Sequence, residues 1–600
     1  MTPAAPPSPP SPASGRLRLI AAALVIVLAA VLRIVGLGHC PPPLNQDEAS
    51  RGYDAWCLLE TGADRHGRQW PFFLESFGPG DFTAALSTYL TIPFVVVMGP
   101  TPEAIRLPNA IFGVLTVLLI YDFLRRTVAP SAGIIGAAIL ATDPWHVTLS
   151  RTGHESGLAP FFLMLTAWAA WRTGWFESTT TPDGQSPRRL SAGWAVVSAA
   201  AAAFCAWAYP ATRLIVPLWL IAAIWMFRHS LRRAWRLPAG RRALVVAALS
   251  LVAAGVPLWW TAMTHPDRLA ARAGVSVFHE SSMTDPRAWI RVVKYFFWNF
   301  DPRYAFLRGE DMSGASLPDT GMHLAATAPL LAIGLAVILP MARRGGGYRF
   351  LLVSWALAWL PASICADWNP HPMRTAAALP LFPIMCAIGA ARGISWLDRR
   401  KRSVATLVVG ASVLALALNA GVFARRYFSE FPSSARRGYQ TDLFEAMQIV
   451  AAHVDEADFV LVTNYVNQPY IYALLAVPIE PARYRDLPKC VVENRLGFHH
   501  VLRVGKFLFA PTGTEAADDA LSSFQSALAE LVAPRRVGLV VEWAGRFGDG
   551  TVIGQTKAAA DGQTLDYLEV RRWRVPERPA HQSMLGPGNA LPGPKTRRTE

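Results

Sequence analysis

Charge is scarce in this chain. Only 16% of its 600 residues are Asp, Glu, Lys or Arg, against about 25% in an ordinary soluble domain. Hydrophobic residues make up 52% and the mean hydropathy is +0.26, which excludes a water-soluble globular class and predicts a membrane protein. Cysteine is sparse as well, and the six present include no Cys-x-x-Cys pair. Cys205 and Cys386 sit inside apolar runs and read as small core residues. Cys40 and Cys57 flank the first outer segment, where a disulfide is expected as one option. No internal repeat of the transporter kind is present, in which two halves share a hydropathy pattern. What exceeds the norm is positive charge, a formal +15. The Lys and Arg fall in short clusters between apolar runs, without the aromatic interleaving of an RNA-binding surface. They read as loops that orient membrane spans, and nucleic acid is not expected as a partner.

Residues 1–15 are rich in Pro and Ser and read as a disordered cytoplasmic N-terminus. Arg16 and Arg18 precede an apolar run to about Gly38 with no small-residue cleavage site before His39. A retained first helix is expected rather than a signal peptide. Apolar stretches of roughly span length follow at 104–124, 130–144, 156–176, 190–209, 210–228, 242–262, 322–342, 349–366, 372–393 and 403–424, giving about eleven spans. Arg125-Arg126, Arg188-Arg189, the arginines of 228–242, Arg343-Arg344 and the basic run 399–402 fall on alternate loops, which makes those loops cytoplasmic. The stretch 84–99, with Pro93 inside, breaks that alternation if it spans. It is expected to lie along the outer interface with Phe82, Tyr89 and Phe94 at headgroup depth, the alternative being a short true span.

The expected organisation is a membrane domain over 16–426, with outer loops at 39–103 and 264–320. The segments 143–155 and 367–372 share that outer face. An α/β domain over 427–575 follows, with helix-like stretches at 441–453 and 515–531 and strand-like ones at 459–463, 537–543 and 567–570. An odd number of spans places it outside the cell, and 576–600 reads as a disordered basic tail.

Polar residues that could carry chemistry collect on the outer segments. Asp47-Glu48, just after the first helix, suits deprotonation of an acceptor hydroxyl, or holding a divalent cation against a phosphate. The structural alternative is an acidic helix N-cap. Asp143-Pro144-Trp145-His146, Ser150-Arg151 and His154-Glu155 cluster ionisable groups at one membrane boundary, where charge is costly and tends to mark functional cavities. The alternative there is an interfacial belt. His154 and Glu155 are candidates to join Asp47 in a metal or acid site, although a His-Glu pair is a weak metal signal. Arg106, Arg213, Arg303 and Arg374 are arginines on the outer face, against the inside bias. Guanidinium groups suit bidentate recognition of phosphate, and headgroup anchoring is the competing reading.

In this order the residues resemble the GT-C polytopic glycosyltransferases of the protein O-mannosyltransferase and lipid A aminoarabinose transferase type (family 39). The resemblance runs through Asp47-Glu48, a helix at 53–62 followed by His66-Gly67-Arg68, and Ala104-Ile105-Arg106-Leu107-Pro108-Asn109. It continues through Pro144-Trp145-His146 with Ser150-Arg151, and Pro370-His371-Pro372-Met373-Arg374. It covers about 430 residues and the last domain loosely. The resemblance implies a GT-C fold and inverting transfer from a polyprenyl-phosphate sugar to a lipid, glycan or protein acceptor on the extracytoplasmic face of the cell membrane. It puts Asp47 (with Glu48 beside it) at the acceptor-activating base and Glu155 at the second acidic position. Arg106, Arg151, Arg213, Arg303, His371 and Arg374 would hold the donor phosphate. One departure stands out: relatives often carry Lys or Arg followed by Pro-Pro at the start of the interfacial helix, where this chain has Thr83-Ala84-Ala85. Two other classes compete. A flippase or transporter of a lipid-linked saccharide should show mid-span polar groups and repeated halves. A membrane sensor with an outer ligand-binding domain would not need an acidic pair with a set of arginines.

Overall fold

The structure, a computed structural model, describes residues 12–79, 81–176, 190–270, 285–310, 317–366, 369–436, 438–462, 468–493, 498–511, 518–544, 546–556 and 568–577. Most of both expected disordered termini, Arg188-Arg189 and Asp367 lie outside the described residues. The chain divides into two compact units. One comprises Met1–Leu37, Arg106–His265 and Ser276–Ser429; the other comprises Gly38–Ile105, Pro266–Val275 and Glu430–Glu600.

The first unit is helical. Helices stand at all eleven expected places: Pro12–Ile34, Pro102–Thr127, Pro130–Thr142, Ala159–Arg172, Ala192–Ala208, Pro210–Met226, Pro238–Ala254, Ala328–Ala342, Gly346–Ser363, Leu381–Arg400 and Arg402–Ser429. The first of them begins at Pro12, inside the segment read as disordered. Five described helices are long and apolar enough to cross a membrane. Two bent pairs, Pro210–Met226 with Arg228–Arg236 (71°) and Pro238–Ala254 with Val256–Thr264 (52°), bring the number to seven. The helices at 130–142 and 192–208 are apolar but shorter.

Proline marks many of these starts: the helices opening at Pro130, Pro144, Pro210, Pro238 and Pro286 carry it in the first turn. There the missing N–H is one the helix leaves unbonded anyway. Glycine sets the closest packing. A Cβ on Gly389 would lie 2.3 Å from the Leu330 carbonyl oxygen and 2.5 Å from the Gly334 amide nitrogen. One on Gly334 would lie 2.2 Å from the Met385 carbonyl oxygen. Helices 328–342 and 381–400 therefore meet backbone to backbone, as small residues allow in membranes. Around them Val117, Ile120, Leu124, Leu140, Met385 and Ile388 form a buried cluster.

The second unit joins the first outer loop to the C-terminal domain. Helix Gln46–Thr61 is closed at its end by Gly62, at φ 66°, whose N–H bonds back to Leu58. Strands β1 (Phe73–Glu75) and β2 (Phe82–Ala84) form an antiparallel hairpin in which Glu75 faces Phe82. The helix that follows, Leu86–Met98, has 13 residues. That is about 20 Å at a helical rise, short of a hydrocarbon core of about 30 Å. Val96 and Val97 expose apolar surface at its end, which fits a helix lying at an interface.

Seven further strands form one sheet among the described residues: β3 (Phe459–Val462), β4 (Lys489–Glu493), β5 (His499–Val504), β6 (Phe507–Phe509), β7 (Val537–Trp543), β8 (Thr551–Gln555) and β9 (Leu568–Arg574), ordered β4-β5-β6-β3-β7-β9-β8. β3 pairs parallel with β6 and β7, and the other pairs are antiparallel.

The sequence reading placed loop 39–103 with the membrane domain; the structure packs it differently. Leu44, Ala49, Tyr53, Cys57, Phe77 and Ile105 share one buried core with Met447, Val450, Tyr470, Ile471 and Val541. Tyr53 Oη donates to the Ile479 carbonyl at 2.8 Å, and the His499 amide to that of Phe77 at 2.6 Å. The option of a Cys40–Cys57 disulfide is overturned: no disulfide joins them and both are buried, Cys57 as part of this core.

Candidate functional site

In the second unit, Asp47 occupies the first turn of helix 46–61, half-buried. The cap reading fails for Asp47 itself, because Asn45 is the N-cap. Asn45 Oδ1 accepts from the Glu48 amide at 2.9 Å, and Glu48 Oε2 accepts from the Asn45 amide at 3.1 Å. This reciprocal capping box uses Asn45 and Glu48 and leaves Asp47 out. Glu48 is fully buried in that role. Beside the pair lies the buried Tyr472, whose hydroxyl has no hydrogen-bond partner among the described residues. Burial first, then the nearby charges of Asp47 and Glu48, push its phenol well above the ordinary range. The sequence offered no signal for this tyrosine, which lies more than 400 positions away.

In the first unit, the 143–155 segment folds as a short helix, Pro144–Ser150, and a 3-10 turn, Glu155–Leu158. Asp143 caps the helix, accepting from the His146 amide at 3.0 Å, and its Oδ2 lies 2.6 Å from His323 Nδ1. His323 is stacked on Phe382 at 3.6 Å between ring centres. His154 caps the turn: its Nδ1 accepts from the Ser156 amide at 3.2 Å and meets Ser156 Oγ at 2.8 Å. Glu155 is fully buried at the first position of that turn.

The arginines divide into two kinds. Arg151 and Arg106 are fully buried. Arg151 donates to the carbonyls of Leu32 (2.9 Å), Val35 (2.8 Å) and Gly36 (3.1 Å), and its guanidinium lies 4.8 Å from the Phe428 ring centre. Arg106 donates to Leu37 at 2.8 Å. Both grip carbonyls that the first helix leaves exposed where it ends, a structural use that suits a cation at the negative end of a helix. Arg33, overlooked in the sequence, does the same for helix 130–142. It donates to Leu140 and Ala141, each at 2.9 Å, and lies 2.6 Å from His146 Nδ1.

Arg213, Arg303 and Arg374 are placed otherwise. Arg213 is half-buried in the first turn of helix 210–226, where a cation opposes the helix dipole and an anion would be favoured. Arg303 is exposed, its amide bonded to Asp301 Oδ1 at 2.8 Å. Arg374 is half-buried in the turn that also holds the buried His371.

Among the described residues no three His, Cys, Asp or Glu side chains gather to hold a metal ion.

Residues 83–260 match the family described as dolichyl-phosphate-mannose-protein mannosyltransferase. Two provisionally named mannosyltransferases of Bacillus subtilis (strain 168) are similar in part. YycA is 26% identical over 148 residues, 24% of this chain and 20% of that protein. YkcB is 30% identical over 101 residues, 16% of this chain and 14% of that protein. The matched part thus spans a fifth or less of these relatives' length. The crystal structure of ArnT from Cupriavidus metallidurans in the apo state aligns over 94% of this chain and 98% of its own, at 12% identity and a TM-score of 0.49. The resemblance to family 39 of the GT-C glycosyltransferases is therefore borne out by the family match over residues 83–260, in a polytopic helical membrane protein that carries a C-terminal sheet domain.

Proposed function

We propose that the chain transfers a sugar from a polyprenyl-phosphate-linked donor to an acceptor hydroxyl, with inversion, on the extracytoplasmic face of the cell membrane. The observation that carries the reading is the family match over residues 83–260. In the proposed reaction the acceptor oxygen attacks the anomeric carbon as the bond to the phosphate oxygen breaks. The acceptor proton passes to Asp47 and polyprenyl phosphate departs. Asp47 is preferred over Glu48 because the capping box occupies Glu48. Glu155 holds the second acidic position. Arg213, Arg303 and Arg374, with His371, receive the donor phosphate. Arg106 and Arg151 are left out of that role because their guanidiniums are engaged on carbonyls of the first helix.

The test compares lipid extracts of a deletion strain and its parent. A polyprenyl-phosphate sugar should accumulate in the deletion strain and disappear on complementation. Unchanged polyprenyl-phosphate sugars, with a transported saccharide trapped on one face instead, would replace the transferase with the flippase.

A further inference from the structure

Between residues 184 and 266 the chain has no Asp or Glu, yet it carries nine arginines. Six of them, Arg228, Arg232, Arg233, Arg236, Arg241 and Arg242, fall on or just after one short helix, Arg228–Arg236. All six are exposed, and none has an ion-pair partner among the described residues.

The helix gathers that charge on one side. At 3.6 residues per turn Arg228, Arg232, Arg236, His229 and Arg233 share a sector of about 140°. Leu231 and Ala234 lie opposite, and Trp235 borders the cations. Ala234 is buried, and a Cβ on Gly240 would run into its carbonyl. The helix is thereby seated against the start of helix 238–254. At its other end Phe227 packs on Phe176 and Phe350, with ring centres 4.7 and 5.5 Å away. The chain turns there by 71° from helix 210–226. A helix turned that far from a span runs nearly along the membrane plane.

Apolar surface rims the cations. Trp225 and Trp235 are each more than half exposed, at 61% and 52%, and Ile224 and Leu237 are exposed beside them. The Arg228 guanidinium lies 5.3 Å from the Trp225 ring centre, and its Nη1 donates to the Trp225 carbonyl at 2.8 Å. Tryptophan beside arginine is the composition of a membrane–water boundary. An acidic protein or a nucleic acid would answer the charge and leave this rim in water.

We propose that helix 228–236, with Arg241 and Arg242, is a docking surface for anionic phospholipid headgroups. The arginines take the lipid phosphates, while Trp225, Trp235 and Leu237 reach the acyl boundary. A basic loop that only orients spans needs charge in any arrangement; here the charge lies along one side of a helix bent into the membrane plane. Neither this surface nor its test depends on the transferase reading.

The full-length protein in detergent is titrated with phosphatidylglycerol and phosphatidylcholine carrying fluorescent acyl chains, and binding is read by anisotropy. The main variant is the triple Arg232→Gln, Arg233→Gln, Arg236→Gln, whose side chains make no ion pair in the fold. An arginine near an anionic surface is worth about 1 kcal/mol, or about fivefold. Phosphatidylglycerol affinity should therefore fall at least about tenfold in the triple, with phosphatidylcholine affinity and the melting temperature unchanged. The control triple Arg343→Gln, Arg344→Gln, Arg402→Gln removes the same charge from other basic loops and should leave phosphatidylglycerol affinity near wild type. Should the main triple fail to fold, Arg233→Gln alone should lose about fivefold, and wild-type binding should weaken with added salt. Equal losses in the two triples, or no loss in either helix variant, overturn the docking surface. Unchanged phosphatidylglycerol binding, with an acidic peptide or oligonucleotide released by the main triple, would overturn it in favour of a soluble partner.

Discussion

Replacing Asp47 by Asn separates chemistry from architecture, because the helix start already has its own cap. Asn45 and Glu48 close the capping box at 2.9 and 3.1 Å, so Asp47→Asn removes one negative charge from the first turn and no cap bond. The helix-dipole contribution of such a charge is about 0.3–1 kcal/mol. General-base help is worth about 10²–10⁴ in rate, or about 2.7–5.4 kcal/mol at 1.36 kcal/mol per decade. The two effects differ enough to be read apart. Purified Asp47→Asn should melt within a few degrees of wild type yet transfer sugar from the labelled polyprenyl-phosphate donor at least about 100-fold more slowly. Asn45→Ala is the mirror control: it should cost about 0.5–2 kcal/mol of stability while the folded fraction keeps most of its rate. Near-normal transfer by Asp47→Asn would remove Asp47 from the mechanism. A collapse confined to Glu48→Gln, with stability intact, would move the base one residue along and refute the separation of roles.

Arg213→Lys and Arg374→Lys should each weaken donor binding several-fold without loss of expression, because a point charge lacks the planar fork; reduced expression at unchanged donor affinity would show headgroup anchors instead. Gly389→Val should destabilise the membrane unit by about 1–3 kcal/mol or more, since its side chain would start 2.3 Å from a backbone oxygen; a thermal melt in detergent equal to wild type would show that helices 328–342 and 381–400 separate freely. Thr101→Cys and His500→Cys, in a cysteine-free background, should both be labelled from outside by an impermeant thiol reagent. Protection of either in intact cells would break the topology in which the helix at 86–98 stays on one face.

Much of the secondary structure is legible from pattern. The helix at Thr441–His453 and the strand at Val537–Trp543 stand where the amphipathic and β-branched runs put them. Strand β6, three residues long, and strand β4, flanked by charge, carry too little pattern to be read. The site was legible in part for the same kind of reason. Asp47 and Glu48 are visible as a pair, but only coordinates show which of them the cap consumes. Arg106 and Arg151 read as candidate phosphate ligands, and their local sequence carries no sign of the carbonyls they grip at the end of the first helix, more than 60 residues away in each case. His323 lies at the start of an apolar run, and nothing local announces that it will meet Asp143 from 180 positions on.

The shared core of residues 38–105 and 430–600 has a consequence for how the protein is made. Helix 46–61 leaves the ribosome early, yet the residues that cover Tyr53, Cys57 and Phe77 are encoded near the end of the message. At about 5–20 residues per second, roughly 20–70 s of synthesis separates the two halves of that core. Throughout this interval the early segment, with its apolar face uncovered, has to be kept from aggregating or being cleaved. A stop codon near the sheet would therefore strand the N-terminal loop as well as delete the C-terminal one, and the two halves should be rescued by supplying the missing part in trans only if they meet before that loop is degraded.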